Sequence, residues 1–135
     1  MVETVHQEGH VKLSIDTRPA GQRELLLSLQ GEIDYESAQD LRATVTSALN
    51  RNVDTIVINL ADVTFIDSTG IGTLVVARRI CHGCGVKLHI RQANPFIVRL
   101  FAVVGVCDVL GVPVPPGAQV TRLPQPRGLD AAQPV

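Results

Sequence analysis

VDTIVINL at residues 53–60 and FIDSTGIGTL at residues 65–74 decide how this chain is read. The first stretch is almost unbroken in β-branched and aliphatic residues, the pattern of a strand buried on both faces. In the second, helical spacing takes over after Ser68, with Leu74, Ala77 and Cys81 recurring on one face. Asp67, Ser68, Thr69 and Gly70 therefore stand where a strand hands over to a helix. In open α/β sheets that edge is where ligands and partners are met.

Upstream, Val11, Leu13 and Ile15 alternate with polar residues, PAGQ (Pro19 to Gln22) interrupts, and Leu25, Leu27 and Leu29 resume the alternation, predicting a β-hairpin. After GEID (Gly31 to Asp34), a helix is predicted from Glu36 to Asn50. Ala38, Leu41, Val45, Ala48 and Leu49 share its apolar face, with Gln39, Asp40 and Thr46 opposite. ADVTFID, residues 61–67, reads as a short connection. The second helix runs from about Ser68 to His82 and is closed by Gly83 and Gly85, and VKLHI (Val86 to Ile90) is the next strand. Asn94 as cap, Pro95 at the first helical position and Gly105 just past the end define a third helix, with Ile97, Leu100, Phe101 and Val104 as its stripe. A last short strand is predicted near Val109 to Val114.

The sum is a single α/β domain: a mixed sheet of four or five strands, an N-terminal hairpin plus parallel strands, with helices packed on it. The domain is placed at residues 10–114, preceded by a flexible stretch at 1–9. It is followed by a Pro/Gly-rich tail at 115–135, disordered from about Pro124, since six of the eight prolines lie beyond residue 112.

Composition excludes several functions. Lys and Arg number 12 against 13 Asp and Glu, with no basic run, which argues against a nucleic-acid surface, and one Tyr, three Phe and no Trp leave no base-stacking platform. The most apolar stretch, FIVRLFAVVGVCDVLGV, is interrupted by Arg99 and Asp108, so no membrane span is expected and a cytoplasmic location is. Cys81 and Cys84 form a C-H-G-C pair at the end of a helical pattern, where the helix dipole does not lower a thiolate pKa. With only His82, His89 and Cys107 at hand to complete a zinc site, no metal and no cofactor are expected.

A polar turn at a helix start admits several chemistries. A phosphate-binding loop needs Gly-Lys-Ser/Thr, and a dinucleotide fingerprint needs a third glycine where Val75 stands. A hydrolase elbow needs glycine where Ile66 stands, and no histidine lies in a segment that reaches Ser68. Asp34 and Asp67 form a candidate carboxylate pair without a pocket-forming insertion around them. Capping by Asp67 or Ser68 is the plain structural role. The combination of Asp, Ser and Thr with Gly70 and Gly72 also leaves a bare corner that another protein's active site can enter, as a modification site requires.

LQGEIDYESAQDLRATV (29–45), VINLADVTFIDSTGIGTLVVARR (57–79) and QANPFIVRLFAVVGV (92–106) together resemble, in order and separation, the STAS-domain anti-sigma factor antagonists of bacteria, over roughly residues 10 to 112. In that family a G-E-hydrophobic-D segment precedes the first helix and a D-S-[ST]-G segment opens the second. Gly31, Glu32 and Asp34 match the former, and Asp67, Ser68, Thr69 and Gly70 the latter. The resemblance implies that Ser68 is the phosphoacceptor, with Thr69 as second choice. It implies an anti-sigma factor as partner, itself an ATP-dependent serine kinase, which the unmodified protein binds so that a sigma factor is freed. Phosphorylation reverses the binding, and a metal-dependent serine/threonine phosphatase restores it. STAS domains also serve as accessory subunits of membrane transporters and lipid-export complexes, which is the alternative role; a small nucleotide-binding module is a more distant one.

The expected partner surface combines Asp34 and Tyr35 with Asp67, Ser68, Thr69, Gly70 and Val76. Leu74, Ala77 and Cys81 are expected to face the sheet, with Thr73, Val76, Arg79 and Ile80 over the flanks and outer surface. A phosphoserine brings about −1.5 to −2 charges at neutral pH, which the dipole of its own helix tolerates and an opposing surface does not.

Overall fold

The computed structural model describes residues 3–5 and 12–114. The expected tail at 115–135 and most of the expected flexible stretch at 1–9 lie outside these residues; within that stretch, Glu3–Val5 forms strand β1. Next come β2 (Leu13–Gly21), β3 (Glu24–Ile33), α1 (Ala38–Leu49), β4 (Thr55–Ile66), α2 (Ser68–Gly83), β5 (Lys87–Arg91), α3 (Pro95–Val104) and α4 (Cys107–Leu110). The five strands lie in chain order in one mixed sheet. β1, β2 and β3 are antiparallel, whereas β3, β4 and β5 are parallel and linked through α1 and α2.

Alternation builds the sheet's inner face. Leu13 and Ile15 on β2, Leu25, Leu27 and Leu29 on β3, Ile56, Ile58 and Leu60 on β4 and Leu88 on β5 join one core. Leu41 and Val45 of α1, Leu74 and Ala77 of α2, Ile97 and Phe101 of α3 and Leu110 of α4 complete it. Val57 is buried as well, so the middle of β4 is covered on both faces, as its sequence implied.

Three expectations need correction. β2 continues through Pro19 to Gly21 with an irregularity between those residues, and the reversal falls on Gln22 and Arg23, the latter at φ 59. Proline is tolerated at such a bulge, so it did not end the strand. Residues 61–66 are strand, not connection: β4 pairs with β3 as far as Ile33↔Ile66. Register shifts between Ser28 and Gln30 and between Gly31 and Glu32 each place one more residue on β4 than on β3. Buried positions there fall at Leu60, Val63 and Ile66, and this spacing of three conceals a strand from any search for alternation. Finally, the predicted strand at Val109 to Val114 is absent. Val106, Cys107 and Leu110 are buried at helical spacing in α4, which Gly111 closes at φ 69.

The bulged ladder positions the corner that carries the Asp67–Gly70 motif. Gly31, at φ 114, packs so closely that a Cβ there would stand 2.1 Å from the Lys12 carbonyl oxygen, which accepts a hydrogen bond from Glu32 N at 2.8 Å. Beyond it, β3 and β4 end level with each other, and Asp67 N donates to Ile33 O at 3.1 Å. The turn after β3 and the start of α2 therefore leave the sheet side by side.

Candidate functional site

Asp67 is the N-cap of α2. Its Oδ1 accepts from Gly70 N at 2.8 Å, and its backbone carbonyl accepts from Ile71 N at 2.9 Å. Its Oδ2 accepts from Tyr35 N at 3.1 Å. One carboxylate thus fastens the start of α2 and clamps the 34–37 turn against it.

Asp34 builds that turn. Its Oδ1 accepts from Glu36 N at 2.9 Å and Ser37 N at 3.0 Å, and its Oδ2 accepts from Lys12 Nζ at 2.9 Å. The Ser37 hydroxyl donates to Glu32 O at 2.7 Å and accepts from Asp34 N at 2.9 Å. The backbone N–H of Ser37, with the Lys12 ammonium second, holds the Asp34 carboxyl down at about 2. Lys12, which also pairs with Glu36, is in turn held above its ordinary pKa by the Glu36 and Asp34 carboxylates.

Asp34 and Asp67 are each committed to backbone N–H groups, Asp34 to those of Glu36 and Ser37 and Asp67 to those of Tyr35 and Gly70. The charge of Asp34 is answered by Lys12, a residue that the motif did not point to because its ammonium arrives from the position just before β2, 22 positions away.

Ser68 and Thr69, the first two residues of α2, are exposed. Tyr35 beside them is 71% exposed and Val76 two turns along is 47% exposed. The expected surface residues thus lie on one continuous corner, except that Gly70 is buried. A Cβ on Gly70 would meet Ile33 O at 2.6 Å and Ile66 Cγ1 at 2.8 Å, so this glycine permits the helix to seat on the strand ends. It does not open the corner; Gly72, with nothing within 4 Å of its Cβ position, does. Leu74, Ala77 and Cys81 face the core as expected, but Thr73 is buried instead of lying on the flank. Its hydroxyl donates to Thr69 O at 2.8 Å, which removes the cost of burying it between α1 and α2.

Of the other residues singled out, Cys84 is free and exposed, whereas Cys81 and Cys107 are free and buried. His82 Nε2 accepts from Leu88 N at 3.2 Å. Burial pushes the Cys81 thiol up to about 11 and raises that of Cys107, so neither is a ready nucleophile. Among the described residues no group of three or more His, Cys, Asp and Glu side chains is placed to hold a metal ion, and no helix is long and apolar enough to cross a membrane.

With this geometry in place, comparison with known proteins identifies the family. Residues 12–118 match the STAS domain, and the chain belongs to that family. It is similar to an anti-sigma-B factor antagonist from Bacillus subtilis, at 26% identity over 102 residues that cover 76% of this chain and 92% of the relative. Among solved structures, an anti-sigma factor antagonist from Mycobacterium paratuberculosis superposes with a TM-score of 0.62 at 21% identity, covering 77% of this chain and 86% of that one. The Bacillus anti-sigma factor antagonist SpoIIAA in its unphosphorylated form gives 0.59 at 19% identity, covering 87% and 95%. At these identities the two structures bear on the fold.

Proposed function

We propose that this protein is an anti-sigma factor antagonist that works by partner switching. Unmodified, it binds an anti-sigma factor that is an ATP-dependent serine kinase, and a sigma factor is released. Phosphorylation of Ser68 switches the binding off, and a metal-dependent serine/threonine phosphatase switches it on again. The protein acts by binding and not by catalysis, in the cytoplasm, with Asp34, Tyr35, Asp67, Ser68, Thr69, Gly70 and Val76 forming or shaping the docking corner.

The observation that carries this proposal is the setting of Ser68. Its hydroxyl stands at the exposed first position of a helix whose capping carboxylate is already committed to Gly70 N and Tyr35 N. A phosphate there meets the favourable end of the helix dipole inside this protein, so the fold tolerates it. The same phosphate places about two negative charges at the centre of a surface that must be desolvated on docking. Modification is therefore cheap for the free protein and costly for the complex, which is what a switch requires. The relatives named as anti-sigma factor antagonists support the same partner class.

The test is the affinity of the unmodified protein for its cognate anti-sigma factor, measured by calorimetry beside Ser68→Ala and Ser68→Asp. Wild type and Ser68→Ala should bind alike, and Ser68→Asp should bind at least about tenfold more weakly. Equal binding by all three would place the switch elsewhere.

A further inference from the structure

A groove of about 230 Å³ lies between α1 and α2. Arg42, Val45 and Leu49 line it from α1, and Gly72, Val76 and Ile80 from α2, with Thr69 at the end nearest Ser68. Its floor is apolar. Arg42 is the only charged side chain lining it and has no hydrogen bond or ion pair among the described residues, unlike Lys12, Arg18 and Arg23, which are paired with carboxylates. Ile80 lies about 18 Å along the helix axis from Ser68, at 1.5 Å per residue. The far end of the groove is therefore a different place from the phosphoacceptor corner, although the two are continuous through Thr69.

We propose that this groove docks a helical segment of the anti-sigma factor, one that sets a carboxylate against Arg42 and apolar side chains against Val76 and Ile80. The inference rests on the partner-switching function and names a second part of its interface. Three observations favour this occupant. The lining repeats at helical spacing on both walls over two turns, the shape into which a third helix packs. Val76 and Ile80 stand 47% and 50% exposed, one turn apart, as an apolar ridge on the α2 wall, the kind of edge that the side chains of a packed helix cover. The one charge is positive and unanswered, and no acidic residue lines the groove. A second copy of the chain meeting it through the same surface would leave both Arg42 side chains without a partner.

The consequence is a bipartite interface. The corner at Ser68 senses phosphate, and the groove supplies affinity and partner choice that phosphate does not touch. Binding of the cognate anti-sigma factor to full-length, unmodified protein should be measured for wild type, Arg42→Glu, Arg42→Lys, Ile80→Glu and Ser68→Asp, at low and high salt. Arg42→Glu and Ile80→Glu should each lose about tenfold or more in affinity while unfolding at the wild-type temperature, because both side chains are exposed. Arg42→Lys should stay within a few-fold of wild type, and Arg42→Glu should flatten the salt dependence. If both Glu variants bind as wild type while Ser68→Asp does not, the groove is not a docking site and the partner-switching function stands. If unmodified wild type fails to bind the anti-sigma factor at all, that function fails and the docking role fails with it. Sedimentation of the protein alone gives the remaining outcome: a dimer abolished by Ile80→Glu would put a second copy in the groove and overturn the proposal.

Discussion

Asp67 is the residue on which the corner turns, because its two oxygens join elements that the chain separates by more than thirty positions. Asp67→Ala removes the N-cap and the clamp on Tyr35 together and should cost about 1–2 kcal/mol, read from chemical denaturation. Asp67→Asn keeps one acceptor oxygen and should recover most of the cap but not both bonds. Asp34 is a stability residue with a signature in pH. Its folded pKa of about 2 lies below the ordinary 3.8, so its contribution is fully present above about pH 4 and is lost as pH falls toward 2. The stability gap between wild type and Asp34→Ala should therefore be constant above pH 4 and shrink between pH 4 and 2. A gap that persists unchanged to pH 2 would mean that the carboxylate's charge is not what the turn uses.

At the scale of elements, α2 presents two faces with opposite requirements. Leu74 is fully buried, and Leu74→Glu should abolish folding because it places a charge in the core. Val76→Glu and Tyr35→Glu should leave thermal stability near wild type and weaken anti-sigma factor binding. Gly70→Ala should destabilise by about 1–3 kcal/mol, since its Cβ is driven against the Ile33 carbonyl and the Ile66 side chain. A rival docking surface on α3 is best probed at Phe96 and Val103, which are exposed, and not at Ala102, which is fully buried and whose substitution would report only on packing.

What the sequence showed of these elements follows from how local their determinants are. Asn94, Pro95 and Gly105 marked α3 to the residue, because capping geometry is written in adjacent residues. The hairpin, α1 and the α2 core face at Leu74, Ala77 and Cys81 were legible from periodicity. The end of β4 was not, since its two bulges move the buried positions to Leu60, Val63 and Ile66. α4 is too short for a period to be told from a strand. Within the site, Ser68 and its flanks came from the motif, whereas Lys12 beside Asp34 and the placement of Arg42 across the groove from the α2 wall exist only once separate elements are packed together.

For the molecule as a whole, a net formal charge of −1 on 135 residues means that one phosphate is a large relative change in charge, delivered at a single corner. The sheet lies behind that corner and α2 carries the new charge at its N-terminus, so the phosphorylated protein should melt within a few degrees of the unmodified one. On the proposed partner-switching reading, the switch acts on what the surface can bind and leaves the fold intact.

The most direct measurement is site mapping by tandem mass spectrometry after the protein is incubated with its cognate anti-sigma factor and ATP, with Ser68→Ala in parallel. Partner switching at this corner predicts a single phosphate on Ser68, none on Ser68→Ala, and loss of anti-sigma factor binding by the modified protein. Phosphate on Thr69, phosphate on neither residue, or full binding by the Ser68-phosphorylated protein would contradict it.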